Sequence, residues 1–178
     1  MLSPVVKPRL KPLAFLAAAG LAGLGGCGFS PLYGQSGENS VAARLDTVDV
    51  ANIPERTGQE LRLSLQTDLH IAGAPTEQRY SLVVTYSIAS ASIGEQEDTS
   101  YTRQRSTALA RWTLTPIGQP AVHLAEGIAT SEDALNIIDQ QYFAQTLETG
   151  TVNQQLANQM AAQITSQIAA YFKTHPAA

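Results

Sequence analysis

A change in the repeat of apolar residues along the second half of the chain restricts its fold more than any other sequence feature. From Tyr80 to Ala89, and again from Tyr101 to Thr115, apolar and polar residues alternate with a period of two, which predicts β-strands with one buried face. From Gln141 to Phe172 most apolar residues recur every three to five positions, which predicts one long amphipathic helix. This succession favours an antiparallel sheet with a helix on its apolar face.

Three weaker segments complete the predicted order of elements. Arg44 to Ile53 predicts a first strand, and Val122 to Thr130 predicts a fourth, less regular one. Between the first two strands a helix is predicted from Pro54, which suits the first helical position, until close to Gly73. Its apolar stripe has a spacing of four residues: Leu61, Leu65 and Leu69. The predicted order is β-α-β-β-β-α, an α+β domain with two helices packed on one face of a four-stranded, mostly antiparallel sheet.

The first 27 residues have the pattern of a lipoprotein signal peptide. Three basic residues precede an apolar run from Leu13 to Leu24, which is too short for a bilayer core of about 30 Å but suits a secretory leader. The run ends at Cys27, after a leucine and two glycines, and this is the only cysteine of the chain. We predict that residues 1–26 are removed, that Cys27 is acylated, and that residues 27–40 tether a single domain over residues 41–178. An ordinary signal peptide with an incidental cysteine is the alternative.

Charge and the residue after the cysteine narrow the class of protein further. Three of the 11 basic residues precede Cys27, which leaves 8 basic against 15 acidic residues, a net charge of −7. The remaining chain therefore lacks the basic footprint that nucleic acid requires, and we expect no nucleic-acid partner. Gly28 stands where a common inner-membrane retention signal has aspartate, which favours the outer membrane of a two-membrane bacterium.

No arrangement of residues in the sequence predicts catalysis or metal binding. His70, His123 and His175 are scattered without ligand spacing. The carboxylate pairs Glu97-Asp98 and Glu132-Asp133 fall in predicted turns, where burial seldom raises a carboxyl pKa enough for general-acid chemistry. We expect no enzymatic activity, no cofactor and no metal.

Two surface patterns indicate binding instead. Between Glu148 and Lys173 the last predicted helix has no charged residue, and its polar positions carry amides and hydroxyls, which a partner can hydrogen-bond without burying ions. Three arginines of the third predicted strand share the face opposite Trp112: Arg103, Arg105 and Arg111. Guanidinium groups suit phosphates and carboxylates, so these residues are candidate anion contacts. In both cases an ordinary solvated surface is the alternative.

The two ends of the chain resemble a known family. Cys27 to Gly34 (CGFSPLYG) is similar to the mature start of the LptE family of lipopolysaccharide-assembly lipoproteins. Asn136 to Ala144 (NIIDQQYFA), with the helix ending Gln167 to Phe172 (QIAAYF), resembles the C-terminal segment of that family. The resemblance implies two helices against a four-stranded sheet, in agreement with the order above, and no catalytic residue.

The resemblance also implies partners and a location. Members of the family sit as a plug inside the outer-membrane β-barrel LptD, assist its assembly and bind lipopolysaccharide, so the expected partners are an LptD-type barrel, lipopolysaccharide and the membrane through the N-terminal acyl chains. The domain would lie on the periplasmic side and within the barrel lumen. We hypothesise that the three arginines contact lipid A phosphates. The alternative is a free-standing, periplasm-facing lipoprotein that binds a small ligand or serves a lipid-transfer ABC system.

Overall fold

The computed structural model describes residues 40–70, 77–95, 101–136 and 142–176. These residues form an α+β arrangement, as the sequence predicts. Its elements in chain order are α1 (Val41–Leu45), β1 (Val48–Val50), α2 (Arg56–Leu69), β2 (Tyr80–Glu95), β3 (Tyr101–Pro116), β4 (Ala125–Asn136) and α3 (Tyr142–Thr174).

The sheet is mixed and its strands lie in sequence order. β1 runs parallel to β2, and β2, β3 and β4 form the predicted antiparallel meander. Leu82 of β2 lies opposite Leu114 of β3, which in turn lies opposite Ala125 of β4. The parallel pair is joined through α2, because a parallel connection requires a crossover that a hairpin cannot provide. β1 and β4 therefore stand at the two ends of the strand order.

The hydrophobic core lies between one face of this sheet and the helices. Alternate residues of each long strand point into it, and Trp112 at its centre is only 3% exposed. The leucine stripe of α2 and the apolar stripe of α3 cover this face. The principal fully buried helical side chains are Leu61, Leu65, Leu69, Leu156, Met160, Ile164, Ile168 and Phe172. The predicted arrangement of two helices on one face is therefore confirmed.

The segment before β1 differs from the prediction. Residues 41–45 form a short helix rather than the start of a strand, because the Ser40 hydroxyl accepts a hydrogen bond from the Ala43 N–H at 3.1 Å and caps it. The first strand is limited to Val48–Val50, so the predicted strand from Arg44 was wrong at its beginning. Ser40 itself, the last residue of the predicted tether, is buried and belongs to the folded domain.

Arg44 has a structural role that a strand position would not allow. Its Nη1 donates to the carbonyl oxygens of Phe172 at 3.1 Å and His175 at 2.7 Å. Its guanidinium carbon lies 4.2 Å from the ring centroid of Phe172. These contacts satisfy carbonyl groups at the C-terminal end of α3, which have no partners within the helix, and place a cation where the helix dipole favours one.

The C-terminal half differs from the prediction mainly at element ends. β2 continues to Glu95, into the predicted turn, and α2 ends at Leu69 rather than near Gly73. β4 extends to Asn136, so Glu132 and Asp133 lie in a strand and not in a turn. The reason is tertiary: β3 offers paired positions for these residues, and an edge strand tolerates charged side chains.

Candidate functional site

The face of the sheet opposite the helices is not packed against any described helix. Val83 is 50% exposed and Ile128 is 55% exposed on this side. We define the open face by the side chains that point to it: Val83, Thr85, Ser87, Ala89 and Ala91 of β2, Arg103, Arg105, Thr107, Leu109, Arg111 and Thr113 of β3, and Glu126, Ile128, Thr130, Glu132, Ala134 and Asn136 of β4. The β2 side chains of this face are small or apolar and uncharged, whereas β3 and β4 contribute three arginines and two glutamates to it.

The three predicted arginines all lie exposed on the open face, as strand parity required. Arg103 lies in register with Ile93 and Asn136, so its immediate cross-strand neighbours are uncharged. Arg105 is flanked by Ala91 and Ala134. No salt bridge involving these two arginines is formed within the described residues. Their guanidinium groups are therefore available to an external anion.

The structure does not bring all three arginines into one site. Arg103 and Arg105 are about 7 Å apart along β3, but Arg111 lies about 20 Å from Arg105 at the rise of an extended strand. Arg111 is flanked by Thr85 and Ile128 instead. Arg103 and Arg105 thus form one candidate anion contact, and Arg111 is a separate position on the same face.

Three glutamines of α3, spaced by four residues, form a ladder along β4: Gln159, Gln163 and Gln167. The amide of Gln163 accepts from the Thr130 N–H at 3.3 Å and donates to the Thr130 carbonyl at 3.0 Å. Gln167 Nε2 donates to the Ile128 carbonyl at 3.1 Å, and the Ser131 hydroxyl donates to Gln159. Because β4 ends the strand order, Gln163 and Gln167 satisfy backbone groups that face away from β3.

The ladder also reaches the core through Trp112. The indole N–H of Trp112 donates to Gln167 Oε1 at 2.8 Å. This approach requires Gly127, because a Cβ at that position would stand 2.8 Å from both Gln167 Oε1 and the Trp112 ring. A glycine near the start of this edge strand is explained by the close packing of a helix onto the strand.

Part of the uncharged helix face forms hydrogen bonds within the domain. The ladder glutamines bond β4, and Asn158 accepts from Ser64 of α2 at 2.8 Å. Gln154 donates to Asn158 at 3.1 Å along the same helix. Exposed positions such as Gln155 and Ser166 continue the uncharged surface. No sequence pattern distinguishes the amides that bond within the domain, because their partners lie 28 to 94 residues away.

One buried polar pair was not singled out by sequence reasoning. Tyr86 of β2 and Glu60 of α2 each have a buried oxygen, the hydroxyl and Oε2, without a hydrogen-bond partner among the described residues. Burial of the phenol, and secondly the negative charge of Glu60, raise the pKa of Tyr86 to about 12. Glu60 Oε1 lies 3.5 Å from Arg56 Nε. The pair marks a polar spot under the N-terminal part of α2.

Several predicted residues fall elsewhere. Cys27, the tether before Ser40, and the pair Glu97-Asp98 lie outside the described residues. His70 Nε2 is 3.1 Å from the Val48 carbonyl, and His175 stacks on Tyr171. Of the helices that the structure describes, none has both the length and the apolar content needed to cross a membrane.

Comparison with protein families and with curated proteins finds no match. The fold does match solved structures of bacterial lipoproteins. A protein of Caulobacter crescentus CB15 assigned as a lipoprotein superposes with a TM-score of 0.60 and 19% identity, over 77% of this chain and 98% of that one. The minor lipoprotein of Acinetobacter baumannii gives 0.56 and 16%, over 69% and 90%. Rare lipoprotein B of Shewanella oneidensis gives 0.55 and 9%, over 71% and 95%. At these identities the likeness establishes a shared fold.

Proposed function

We propose that the chain is an outer-membrane lipoprotein that forms a complex with an LptD-type β-barrel, as its plug and assembly partner, and binds lipopolysaccharide. The fold it shares with bacterial lipoproteins supports the first part. The motif that ends at Cys27 supplies the anchor, since acyl chains contribute about 0.8 kcal/mol per buried CH₂ and more than one chain gives stable attachment. The two ends of the sequence, which resemble the LptE family, support the barrel partner.

The open face of the sheet is the observation that carries the proposal. One face of the sheet packs on the helices, while the other presents Val83 and Ile128 about half exposed. A solvated face usually alternates with charged residues, but the described β2 side chains of this face carry none. A barrel lumen is polar and enclosed, so the uncharged β2 part of this face suits it. The same reasoning applies to exposed α3 positions such as Gln155 and Ser166.

The arginines give the lipopolysaccharide part of the proposal a specific contact. Arg103 and Arg105 project side by side from the open face, with uncharged cross-strand neighbours. Two guanidinium forks about 7 Å apart suit two phosphate groups or a single bridging one. The net charge of the domain is negative, so an anion site on it must be local. In this proposal Arg103 and Arg105 hold lipid A phosphates.

Co-purification from detergent-solubilised outer membrane tests the complex. We expect the full-length, acylated protein to carry a stoichiometric, heat-resistant β-barrel partner. A monomer with an occupied apolar pocket would contradict the proposal and favour the alternative, a free-standing lipoprotein that binds a small ligand or serves a lipid-transfer ABC system.

A double variant tests the anion contact. Arg103→Ala with Arg105→Ala is expected to weaken lipopolysaccharide binding in vitro by at least about tenfold, since each loses a charge-assisted hydrogen bond. Arg111→Ala is the matched control, because it removes one arginine from the same face about 20 Å away. Binding that is unchanged in the double variant, or reduced equally by the control, would remove the assigned site.

A further inference from the structure

The sheet has a second long edge, formed by β2 beyond its short pairing with β1. β1 pairs with β2 only from Val48 to Val50, opposite Tyr80 to Leu82. The next bond on this side runs from the Ala51 N–H to the Leu82 carbonyl, at 3.0 Å. β2 then continues to Glu95 without a strand beside it on that side among the described residues. Most of the length of β2 is therefore an edge.

Strand parity identifies the backbone groups that face this edge. The Tyr80 N–H and the Leu82 carbonyl bond the β1 side, so even-numbered residues of β2 direct their N–H and C=O groups away from β3. We call the β2 edge the outward-facing residues of β2 from Tyr86 onward, beyond the pairing with β1: Tyr86, Ile88, Ser90 and Ser92. Each has one backbone donor and one acceptor without a backbone partner in the part of the chain that the structure describes. The stretch from 86 to 92 spans about 20 Å.

Nothing in the sequence of this edge protects it. From Val83 to Ile93 there is no charged residue and no proline, which are usual means of blocking an exposed strand. At the opposite edge Gln163 and Gln167 bond the backbone of β4, and the Asp133 carboxylate accepts from the Ala134 N–H at 2.7 Å. Among the described residues, the β4 edge is closed by the domain itself, and the β2 edge has no partner strand beyond β1.

We propose that the β2 edge takes up one extended, uncharged segment of the barrel partner, which adds to the sheet as a further strand. The inference rests on the proposed function for the identity of the occupant, while the position of the edge comes from the pairing itself. Backbone hydrogen bonds supply the attraction in such strand addition, and the uncharged β2 side chains favour an uncharged segment. The edge is also continuous with the open face, through Ser87 and Ala89, so one partner can contact both.

A second copy of the chain fits the edge less well. Two copies paired through their β2 edges about a twofold axis would bring both α2 helices to the same face of the joined sheet. The N-terminal ends of these helices would then point toward each other, where their partial positive charges repel. A single strand from a barrel brings no such helix with it.

Site-specific photo-crosslinking in the full-length, acylated protein tests the proposal. Benzoylphenylalanine in place of Ser92 detects contacts at the β2 edge. Benzoylphenylalanine in place of Arg111 detects contacts at the open face. We expect the Ser92 probe to crosslink to the barrel that co-purifies with the protein. Crosslinking from Arg111 but not from Ser92 would overturn the strand addition and leave the proposed function standing. Crosslinking of the Ser92 probe to a second copy of the chain would show that the edge forms a dimer and would overturn the assignment to the barrel. If no barrel co-purifies, both proposals are wrong.

Proline substitution tests the edge by a second route. Ser90→Pro removes an outward N–H, and we expect the amount of co-purified barrel to fall at least about tenfold. Ser90→Ala controls for the loss of the bond between the Ser90 and Ser106 hydroxyls, 2.9 Å apart, and should retain the barrel. Retention of the barrel by Ser90→Pro, or an equal loss from Ser90→Ala, would overturn the proposal.

Discussion

The two edges of the sheet show opposite solutions to the same physical problem. An edge strand presents a row of backbone groups that pair readily with another chain. On β4 the domain meets this with glutamine side chains from α3 and with the acidic residues Glu126, Glu132 and Asp133. On β2, from Tyr86 to Ser92, no side chain of the described residues bonds the outward backbone groups.

The difference indicates that the domain is asymmetric in what it offers a partner. The ladder glutamines that close the β4 edge occupy positions of α3 at which a helix could carry charged residues instead. The ladder is therefore a specific feature of α3. An open edge without gatekeeping residues is a liability for a protein that remains alone. It suits a protein whose partner is present throughout its working life, as in the proposed complex.

Proline substitutions at two neighbouring residues test the strand parity that defines the β2 edge. Ala89 pairs with Thr107, so its N–H faces β3, and Ala89→Pro removes a ladder bond at a cost of about 2 to 3 kcal/mol in the free energy of unfolding. Ser90→Pro should cost about 1 kcal/mol or less, since its N–H faces outward. Urea unfolding followed by Trp112 fluorescence measures both. Equal losses would show that β2 has a different register.

The close contact at the protected edge is tested with two glycines. Gly127→Ala places a methyl group 2.8 Å from the Trp112 ring, and we expect a loss of about 2 kcal/mol from overpacking. Gly150→Ala is the control, because its added methyl group meets nothing within 4 Å and lies in a helix, where alanine is favoured by about 0.5 to 1 kcal/mol. Opposite signs in urea unfolding are expected, and destabilisation of both would contradict the packing.

The ladder itself should contribute a smaller amount. Gln167→Ala leaves the buried Trp112 N–H without its acceptor, which we expect to cost about 1 to 2 kcal/mol. Gln155→Ala removes an exposed amide of the same helix and should change stability by less than about 0.5 kcal/mol. Urea unfolding followed by circular dichroism compares them without relying on the tryptophan. A Gln155 effect as large as that of Gln167 would refute the internal role of the ladder.

The smallest expected effect on stability comes from the polar pair of Tyr86 and Glu60 at the β2 edge. The pKa of Tyr86 is raised to about 12, so the folded state keeps the phenol protonated after the unfolded chain has released its proton. This contribution to stability is complete below pH 10 and decreases as the pH rises from 10 to 12. Unfolding of the wild-type protein and of Tyr86→Phe between pH 9 and 11.5 measures it. The variant should lose less stability over that interval, and identical slopes would contradict the raised pKa.

The amino-acid sequence determined the class of the fold and the orientation of its long strands. The period of two in β2 and β3 decides which side chains are buried, and by itself it assigns Arg103, Arg105 and Arg111 to one face. The stripes of α2 and α3 decide their buried sides in the same way. These properties are local, because a residue's face follows from its position within its own element.

The tertiary structure alone decided where elements end and which polar residues serve the domain. The carboxylates of Glu132 and Asp133 indicate a turn when only neighbours in sequence are considered, but pairing with β3 holds them in a strand. Arg44 became a cap because the end of α3, 128 residues later, lies against it. The two edges likewise differ only through the length of β1 and the position of α3. Such contacts join residues far apart in the chain, and periodicity within one segment carries no information about them.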